Sequence, residues 1–526
     1  MTLAVVLLCA VAAVIQSPRW LRVAQREHYV PGSTVRFASR WWASGQLNLV
    51  LAVGVLAGGL SAFSLPLMAV VVGAVTVWGP LGLTLKGRTS PLVWTRRLKT
   101  LAVVAGILDA GLFVLAALTD VAAPLAALLC FLQPAVVDVA LLVTRPFEQL
   151  AARRFVKTAA AKLRQVDPTT VAITGSYGKT TTKLYVRHLV SAARSVLASP
   201  ASFNNTGGLS RTLNEHLAPG TEVFVAEMGT FGRGEIRSMC RWVQPDVAAI
   251  VNIGPVHLER MRTLDAIVAA KAEIFEQAAT TSAVLNVDAH GLAPLADQLA
   301  SQGKRVTRVS AQDTTADVAV VADGDGDGDA DAEAAGDTDH AGGALDVWVR
   351  GQLRHRIVGT TAQPANVASA LGIVLALDLP LEVVLPRLDS LPESDHRQQV
   401  VTSASGVTVI DNTFSSNPAS ATTSLALLER LAEPQSRLVV VTPGMVELGH
   451  QQFEANRAVA VAADGVATDL VIVGETNRKS LMAGAAHRDL VVHLAPTREH
   501  AVEWVRANLR AGDVVLYEND LPDHYP

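Results

Sequence analysis

The chain has 526 residues, of which half are hydrophobic and 17% are charged, with 44 Lys and Arg against 48 Asp and Glu. This composition excludes a disordered chain, a collagen-like fibre and a nucleic-acid-binding protein with a strong basic bias. Residues 1–144 contain ten basic and four acidic residues, so they carry +6 and the remainder carries −10. A basic, apolar front and an acidic rear indicate a membrane part joined to a globular part. The three cysteines have no CxxC spacing, which excludes a disulfide framework or a thiolate zinc site.

The front of the chain is predicted to form about five transmembrane helices. Residues 1–15 are uncharged and apolar, without the basic start or cleavage site of a signal peptide, so they predict a retained first span. Residues 47–85 carry no charge and would extend roughly 58 Å as one helix, about twice the ~30 Å hydrocarbon core. They therefore predict two spans that turn near residues 61–66. Two further spans are expected at about 101–118 and 121–143.

The basic residues of this front predict its orientation. They fall into two clusters: Arg19, Arg22, Arg26, Arg36 and Arg40, then Lys86, Arg88, Arg96, Arg97 and Lys99. The positive-inside rule places both clusters, and everything after Arg145, in the cytoplasm. We therefore expect a multi-pass domain of the cell (inner) membrane over 1–144 and a basic linker over 145–166. For Asp109 and Asp138, which interrupt the last two spans, a functional role and a helix-packing contact both stay open.

A phosphate-binding loop follows the linker. The β-branched run at 170–174 predicts a strand, the loop reads Gly175-Ser176-Tyr177-Gly178-Lys179-Thr180, and residues 181–194 predict a helix. Glycines let the backbone approach phosphates, and the amino end of a helix directs N–H groups at an anion. Lys179 can then reach the terminal phosphates, and the Thr180 hydroxyl can bind Mg²⁺. The pattern G-x-x-G-K-T is two residues shorter than the common phosphate-loop pattern.

The phosphate-loop pattern is the first of a series of motifs that extends over most of the chain. In order, they are "TGSYGKTTTK", "SFNNTGGLSRTL", "VFVAEMGT", "VNIGPVHLERM", "AAKAEIFE", "AVLNVD", "VIDNTFSSNPAS" and "GMVELG". This series resembles the Mur ligases of peptidoglycan synthesis, and most closely their D-alanyl-D-alanine-adding members. The resemblance covers about 167–526. It implies a central ATP-binding domain at 167–395 and a C-terminal domain at 396–526 that closes on it.

The resemblance also implies the roles of individual residues. Contacts to ATP are implied for Gly175, Ser176, Tyr177, Gly178, Lys179, Thr180, Thr181, Asn286, Arg397 and Asp411. Two Mg²⁺ ions are implied, held by Thr180, Glu227, His257 and a carbamylated Lys271, with Lys179, His257 and Lys271 as the catalytic residues. Substrate contacts are implied for Asn204, Asn205, Thr206 and Asn417.

Without the resemblance, the same residues have simpler interpretations. His257 could be an ordinary surface or capping histidine, and Lys271 a solvated charge close to Glu273 and Glu276. The chain also departs from the family pattern in two places. Ala289 stands where a second aspartate is usual, and Ala362 stands where a histidine is usual. These departures affect one nucleotide contact and one substrate contact.

An acidic insert interrupts the central domain at 322–343. It contains eight Asp and Glu between positions 323 and 339, alternating with Gly and Ala, which predicts a solvated, disordered loop. The run D-x-D-x-D-G begins at Asp323, but the twelfth position is Ala334 instead of Glu, which excludes an EF-hand. We expect this insert to interrupt the sequence of the central domain without forming a separate domain.

The last part of the chain alternates β-rich and helical stretches, which predicts a mostly parallel, Rossmann-like sheet. The predicted strands are 407–411, 438–442, 470–473, 490–493 and 514–517. The expected fold class is therefore an α-helical membrane domain followed by α/β domains, namely a phosphate-loop central domain of the Mur ligase type and a Rossmann-like C-terminal domain.

The function expected from this organisation is ATP-dependent amide-bond formation at the cytoplasmic membrane face, through an acyl-phosphate. Membrane spans replace the N-terminal domain with which soluble family members grip the UDP part of their substrate. The implied partners are a cell-wall peptide precursor, UDP- or lipid-linked, and an amino acid or dipeptide, with no nucleic acid. Alternatives are a nucleotide-binding membrane scaffold without ligase activity, or a ligase for another cell-envelope polymer. A transporter with an attached ATPase would need a long phosphate loop and signature segments that the sequence lacks.

Overall fold

The computed structural model describes residues 2–43, 45–83, 85, 92–256, 258–322, 343–392, 399–414, 416–486 and 489–521. Several residues named above lie outside the described ones, namely Lys86, Arg88, His257, Arg397 and residues 323–342 of the acidic insert. The chain divides into two compact units, the first running to Arg153 and including Leu521, and the second covering Arg154–Asp520.

The described part of the first unit is helical. Its helices are α1 (Thr2–Arg26), α2 (Ser33–Trp42), α3 (Gly45–Ser61), α4 (Met68–Trp78), α5 (Arg96–Ala117), α6 (Ala122–Phe131) and α7 (Gln133–Val166), the last of which continues into the second unit. Among the described residues, α1 and α5 are long and apolar enough to cross a membrane. The number rises to four if α2 with α3, and α6 with α7, each count as one bent span. The turn predicted near residues 61–66 coincides with the end of α3 at Ser61. The helix that follows this turn, α4, has only 11 residues, which is shorter than the span predicted there.

Both carboxylates of the predicted spans take part in contacts between helices. Asp138 on α7 accepts hydrogen bonds from the backbone N–H groups of Thr34 (3.3 Å) and Val35 (2.9 Å), at the amino end of α2. Asp109 on α5 accepts one from Gln133 Nε2 at 2.8 Å. A carboxylate in an apolar bundle is costly unless donors face it, and here each has one or more. These contacts favour the helix-packing alternative for both residues.

The second unit begins with a nine-stranded sheet. Its strands are β1 (Thr169–Thr174), β2 (Val196–Ala198), β3 (Val223–Glu227), β4 (Val247–Ile250), β5 (Ser282–Asn286), β6 (Arg305–Ser310), β7 (Val318–Ala322), β8 (Gly343–Val349) and β9 (Gln352–Thr360). The order across the sheet is β2-β3-β1-β4-β5-β6-β7-β8-β9. All pairs from β2 to β7 are parallel, whereas β8 and β9 join antiparallel. Because β7 pairs directly with β8, the acidic insert connects two neighbouring strands of one sheet.

Helices cover both faces of this sheet. They are α8 (Lys179–Val190), α9 (Thr206–His216), α10 (Glu235–Val243), α11 (Leu258–Met261), α12 (Leu264–Ala272), α13 (Leu292–Ser301), α14 (Pro364–Ala376) and α15 (Leu381–Val384). Val171 and Ile173 of β1 pack with α8 and α14, while Ala172 between them packs with the opposite layer. A parallel strand buried on both faces reads as a continuous apolar run, as β1 does here.

A six-stranded sheet completes the second unit. Its strands are β10 (Gln399–Thr402), β11 (Thr408–Asn412), β12 (Leu438–Thr442), β13 (Asp469–Val473), β14 (Val491–Ala495) and β15 (Val514–Glu518), and its helices are α16 (Pro418–Arg430), α17 (Gln452–Asp464), α18 (Arg478–Ala485) and α19 (Arg498–Asn508). The order is β10-β11-β15-β12-β13-β14, and β10 alone of these described strands pairs antiparallel. Each of the five strands predicted from the sequence overlaps one of the observed strands.

Candidate active site at the phosphate loop

The phosphate loop joins the carboxyl end of β1 to the amino end of α8. Gly178 has φ +78°, and a Cβ on it would lie 2.2 Å from Asn366 Oδ1, so both backbone conformation and space require glycine there. Ser176 anchors the loop to the segment after β4, because its Oγ accepts from Gly254 N at 2.9 Å and donates to Gly254 O at 3.0 Å. These two hydrogen bonds attach the loop to the segment that follows the neighbouring strand β4.

Two lysines converge on one carbonyl of this loop. Lys179 Nζ and Lys271 Nζ each donate to Gly175 O at 2.8 Å, and Lys179 also donates to Ser176 O at 3.1 Å. Lys271 is 3% exposed, so it is not the solvated charge that its surroundings in the sequence suggested. Burial, and then the nearby charge of Lys179, hold the pKa of Lys271 well below its usual range. The structure thus places a readily deprotonated amine beside the phosphate loop.

Glu227 lies at the same edge of the sheet. It is the last residue of β3 and pairs in register with Ile173 of β1, so both strands end beside the loop. Its carboxylate accepts hydrogen bonds from Thr180 Oγ1 (3.0 Å), Lys183 Nζ (2.9 Å) and Asn204 Nδ2 (3.3 Å). Glu227 is 1% exposed. Among the four residues to which metal binding was assigned, Thr180 and Glu227 are brought into direct contact.

The chemistry of these donors fits Mg²⁺. A hydroxyl and a carboxylate supply the oxygen ligands that this ion prefers, whereas the ammonium of unmodified Lys271 supplies none. The described part of the chain contains no group of three or more His, Cys, Asp and Glu side chains able to hold a metal ion. The roles assigned to His257 and Arg397 stay predictions, because both residues lie outside the described part.

A cavity of about 370 Å³ opens beside the loop, between the two sheets of the second unit. Tyr177, Gly178 and Thr181 line it on the loop side, and Asn412 and Asn417 line it from the C-terminal sheet. Its size falls in the range of small-molecule sites, about 300–1,000 Å³. The cavity therefore brings loop residues assigned to ATP together with Asn417, which was assigned to the substrate.

Other predicted residues take structural positions near this site. Asp411 Oδ1 accepts from Thr413 N (3.1 Å) and Thr413 Oγ1 (2.6 Å), and it does not line the cavity. Asn286 is buried and donates to Val251 O at 3.1 Å. Asn205 Oδ1 accepts from Gly208 N at 2.9 Å and so caps α9, of which Thr206 is the first residue. In the described structure, Asn204 reaches the site through Glu227, whereas the side-chain bond of Asn205 stabilises a helix end.

Two residues of the site were missed by sequence reasoning. Lys183 is in the motif "TGSYGKTTTK" and lies three residues after Thr180, which places both on one face of α8. That spacing could have identified it. Asn366, at the start of α14, lines the cavity, contacts the Gly178 position and accepts from Thr182 Oγ1 at 3.4 Å. Only the folding of α14 against α8 brings it there.

Comparisons with known proteins match both domains of the second unit to one family. The Mur ligase middle domain matches residues 173–331, and the Mur ligase glutamate ligase domain matches residues 396–517. UDP-N-acetylmuramoyl-tripeptide--D-alanyl-D-alanine ligase from Mycobacterium leprae is 30% identical over 390 residues, covering 70% of this chain and 74% of the relative. The protein of the same name from Mycobacterium tuberculosis (strain CDC 1551 / Oshkosh) is 32% identical over 378 residues, covering 68% and 71%.

Solved structures share the fold. MurF ligase from Thermotoga maritima in complex with ADP superposes with a TM-score of 0.58 at 24% identity, covering 70% of this chain and 80% of that one. MurF from Acinetobacter baumannii superposes with a TM-score of 0.57 at 21% identity, covering 70% and 77%. The fold and site define an ATP-dependent acid–amino-acid ligase, as the motifs predicted. The chain belongs to the Mur ligase family, and both of the mycobacterial relatives described above carry the name of its D-alanyl-D-alanine-adding ligase.

Proposed function

We propose that this ligase phosphorylates the terminal carboxylate of a cell-wall peptide precursor and then joins the resulting acyl group to the amine of D-alanyl-D-alanine or a similar donor. In the first step a carboxylate oxygen attacks the γ-phosphorus of ATP and ADP leaves. In the second step the amine attacks the acyl carbon, inorganic phosphate leaves and the amine loses a proton. The observation that carries the proposal is the convergence of Lys179 and Lys271 on Gly175 O, beside Thr180 and Glu227.

Each residue has a distinct task in this scheme. The loop backbone and Lys179 neutralise the phosphates, on which the charge of the transition state accumulates. Thr180, Glu227, His257 and a carbamylated Lys271 would hold Mg²⁺. The metal supplies positive charge at the transferring phosphoryl group. Asn366, Asn412 and Asn417, which line the cavity, would orient the bound ligand.

The state of Lys271 supports its carbamylation. Only an uncharged amine reacts with CO₂, and the pKa of Lys271 is held well below its usual range by burial and by Lys179. The reaction consumes one CO₂ and releases one proton, and it converts a cation into a carbamate with two ligand oxygens. A buried ammonium 2.8 Å from Gly175 O would oppose binding of the metal, whereas a carbamate would favour it.

The names of the relatives suggest the two substrates. Both mycobacterial proteins carry the name of a ligase that adds D-alanyl-D-alanine to UDP-N-acetylmuramoyl-tripeptide. The apolar helices of the first unit support a further proposal, that the enzyme works at the cytoplasmic face of the membrane on a UDP-linked or lipid-linked form of the precursor. A ligase for another cell-envelope polymer would use the same site with a different acceptor.

One assay tests these alternatives together. The purified full-length protein, ATP and Mg²⁺ are incubated with the UDP-linked or the lipid-linked tripeptide precursor, and with D-alanyl-D-alanine or single amino acids. Phosphate release and product mass are measured in each combination. A product with one added amide bond supports the proposal and identifies the acceptor. Nucleotide binding without product in every combination would instead support a scaffold without ligase activity.

A further inference from the structure

A buried lysine that no step above uses lies beside Glu227. Lys183 is on α8, and its side chain and that of Glu227 are each 1% exposed, with Nζ 2.9 Å from Glu227 Oε2. Lysine is almost never fully buried unless it is paired, because removing an ammonium from water is costly. The position of Lys183 therefore depends on the carboxylate that it faces.

The two carboxylate oxygens of Glu227 accept different numbers of hydrogen bonds. Thr180 Oγ1 and Lys183 Nζ both donate to Oε2, whereas Asn204 Nδ2 donates to Oε1 at 3.3 Å. Lys183 forms the single ion pair that the described residues give Glu227. The same ammonium donates to the carbonyl of Ala201, a residue with φ +41° in the left-handed region that non-glycine residues rarely adopt. One side chain thus connects α8, the end of β3 and the segment that carries Asn204.

We propose that Lys183 is a positioning residue that supplies the countercharge of Glu227 in the metal-free enzyme and competes with the divalent metal for that carboxylate. The proposal rests on the assignment of Glu227 as a metal ligand in the proposed function. A divalent cation bound to the same buried carboxylate would be repelled by the Lys183 ammonium. Lys183 therefore weakens binding of the metal alone, so that stable binding needs the additional oxygens of nucleotide phosphates. Loss of Lys183 therefore strengthens binding of the metal alone.

The test measures Mn²⁺ binding by the electron paramagnetic resonance signal of the free ion, using chelator-treated full-length protein with and without ADP. Lys183→Met is compared with the parent and with Lys304→Met. Within the described residues, Lys304 donates to the carbonyls of Gln277 and Thr280 and to no carboxylate. We expect Lys183→Met to bind Mn²⁺ without ADP roughly tenfold or more tightly than the parent, and Lys304→Met to match the parent. Equal or weaker binding by Lys183→Met would overturn the competition.

A double-mutant stability cycle, measured by melting temperature, tests independently of metal whether Lys183 is the countercharge of Glu227. In metal-free buffer, Lys183→Met should lower the melting temperature by roughly 10 °C, because it leaves a buried carboxylate uncompensated. The double variant Lys183→Met/Glu227→Gln should regain most of that loss, since it contains neither charge. A double variant no more stable than Lys183→Met overturns the countercharge role.

Two further outcomes are also decisive. If Lys183→Met cannot be purified in folded form, a folded double variant supports the countercharge role and an unfolded one overturns it. If the parent binds no Mn²⁺ even with ADP, the metal site of the proposed function fails together with the competition, whereas the stability cycle still decides the role of Lys183.

Discussion

Lys179 and Lys271 donate hydrogen bonds to the same carbonyl oxygen, that of Gly175, each at 2.8 Å. Lys179 is the first residue of the phosphate-loop helix α8, and Lys271 lies 271 − 179 = 92 residues later, in α12. In the proposed function these two side chains need opposite charge states, since Lys179 would be positively charged to bind phosphate, whereas Lys271 would be uncharged to react with CO₂. This relationship defines the first two predictions.

Lys179→Ala should lower the rate of ATP-dependent product formation by about 10²–10³-fold, because it removes one oriented charge from the transferring phosphoryl group. The measurement is phosphate release and product mass with purified full-length protein. Lys162→Ala is the control and should keep the parent rate, since the one acceptor that the described residues offer Lys162 is the Asn214 carbonyl. Unchanged turnover in Lys179→Ala would eliminate the phosphate-loop assignment.

Lys271→Ala and Lys271→Arg should both be nearly inactive. Arginine keeps a positive charge and cannot form a carbamate, so it should not restore activity. A small carboxylic acid such as acetate should fill the space in Lys271→Ala and restore part of the rate, and it should have no effect on Lys271→Arg. Parent-like activity in Lys271→Arg would show that the carbamate is not required.

Glu518 should make stability depend on pH. It is buried at the end of β15, where it accepts from Asn412 Nδ2 at 2.9 and 3.1 Å, and burial raises its pKa above the ordinary value of 4.5. The folded state therefore holds the proton of the Glu518 carboxyl more tightly than the unfolded state does. The contribution of this group to the stability of the folded state is complete below about pH 4.5 and is lost as pH rises through the folded pKa. Glutamine does not ionise, so Glu518→Gln should not lose stability in this way. The melting temperature of Glu518→Gln minus that of the parent should therefore increase with pH. A difference that is constant with pH would contradict the raised pKa.

Asp138→Ala should loosen α2. The variant removes the acceptor for the N–H groups of Thr34 and Val35, and loss of a helix cap costs about 0.5–2 kcal/mol. Trypsin should then cleave faster after the exposed residues Arg36 and Arg40 in detergent-solubilised protein. Asp120→Ala, at an exposed position, is the matched control. Cleavage rates equal to the control would indicate that Asp138 does not stabilise α2.

The predicted orientation can be tested with two single cysteines. Val30 is 45% exposed in the segment of the first basic cluster, which is predicted to be cytoplasmic. Leu118 is 80% exposed at the end of the predicted span 101–118, across the membrane from the second cytoplasmic cluster, so we expect it outside. The native cysteines are buried, so they give little background. In intact cells, an impermeant maleimide should label Leu118→Cys and leave Val30→Cys unlabelled until the membrane is opened. The reverse pattern would invert the topology.

The amino-acid sequence determined the local features of this protein. The strand, loop and helix around Gly175–Thr180 follow from an apolar run, glycines and a polar helix start. Each of these patterns involves residues that are neighbours in the sequence, so no tertiary contact is needed to recognise it. The motif order correctly predicted the family and the ATP-dependent ligase activity. The strands of the C-terminal sheet were also predicted, because each is a short β-branched run between helical segments.

Only the tertiary structure decided which distant side chains share a site. The burial of Lys271, its bond to Gly175 O and the ion pair of Lys183 with Glu227 depend on β1, β3 and β4 lying side by side with their carboxyl ends together. A charged residue on a helix has the same local pattern whether it faces water or a carboxylate. The packing of α8 and α12 against the sheet determines which of these it faces, and hence its charge state and its role.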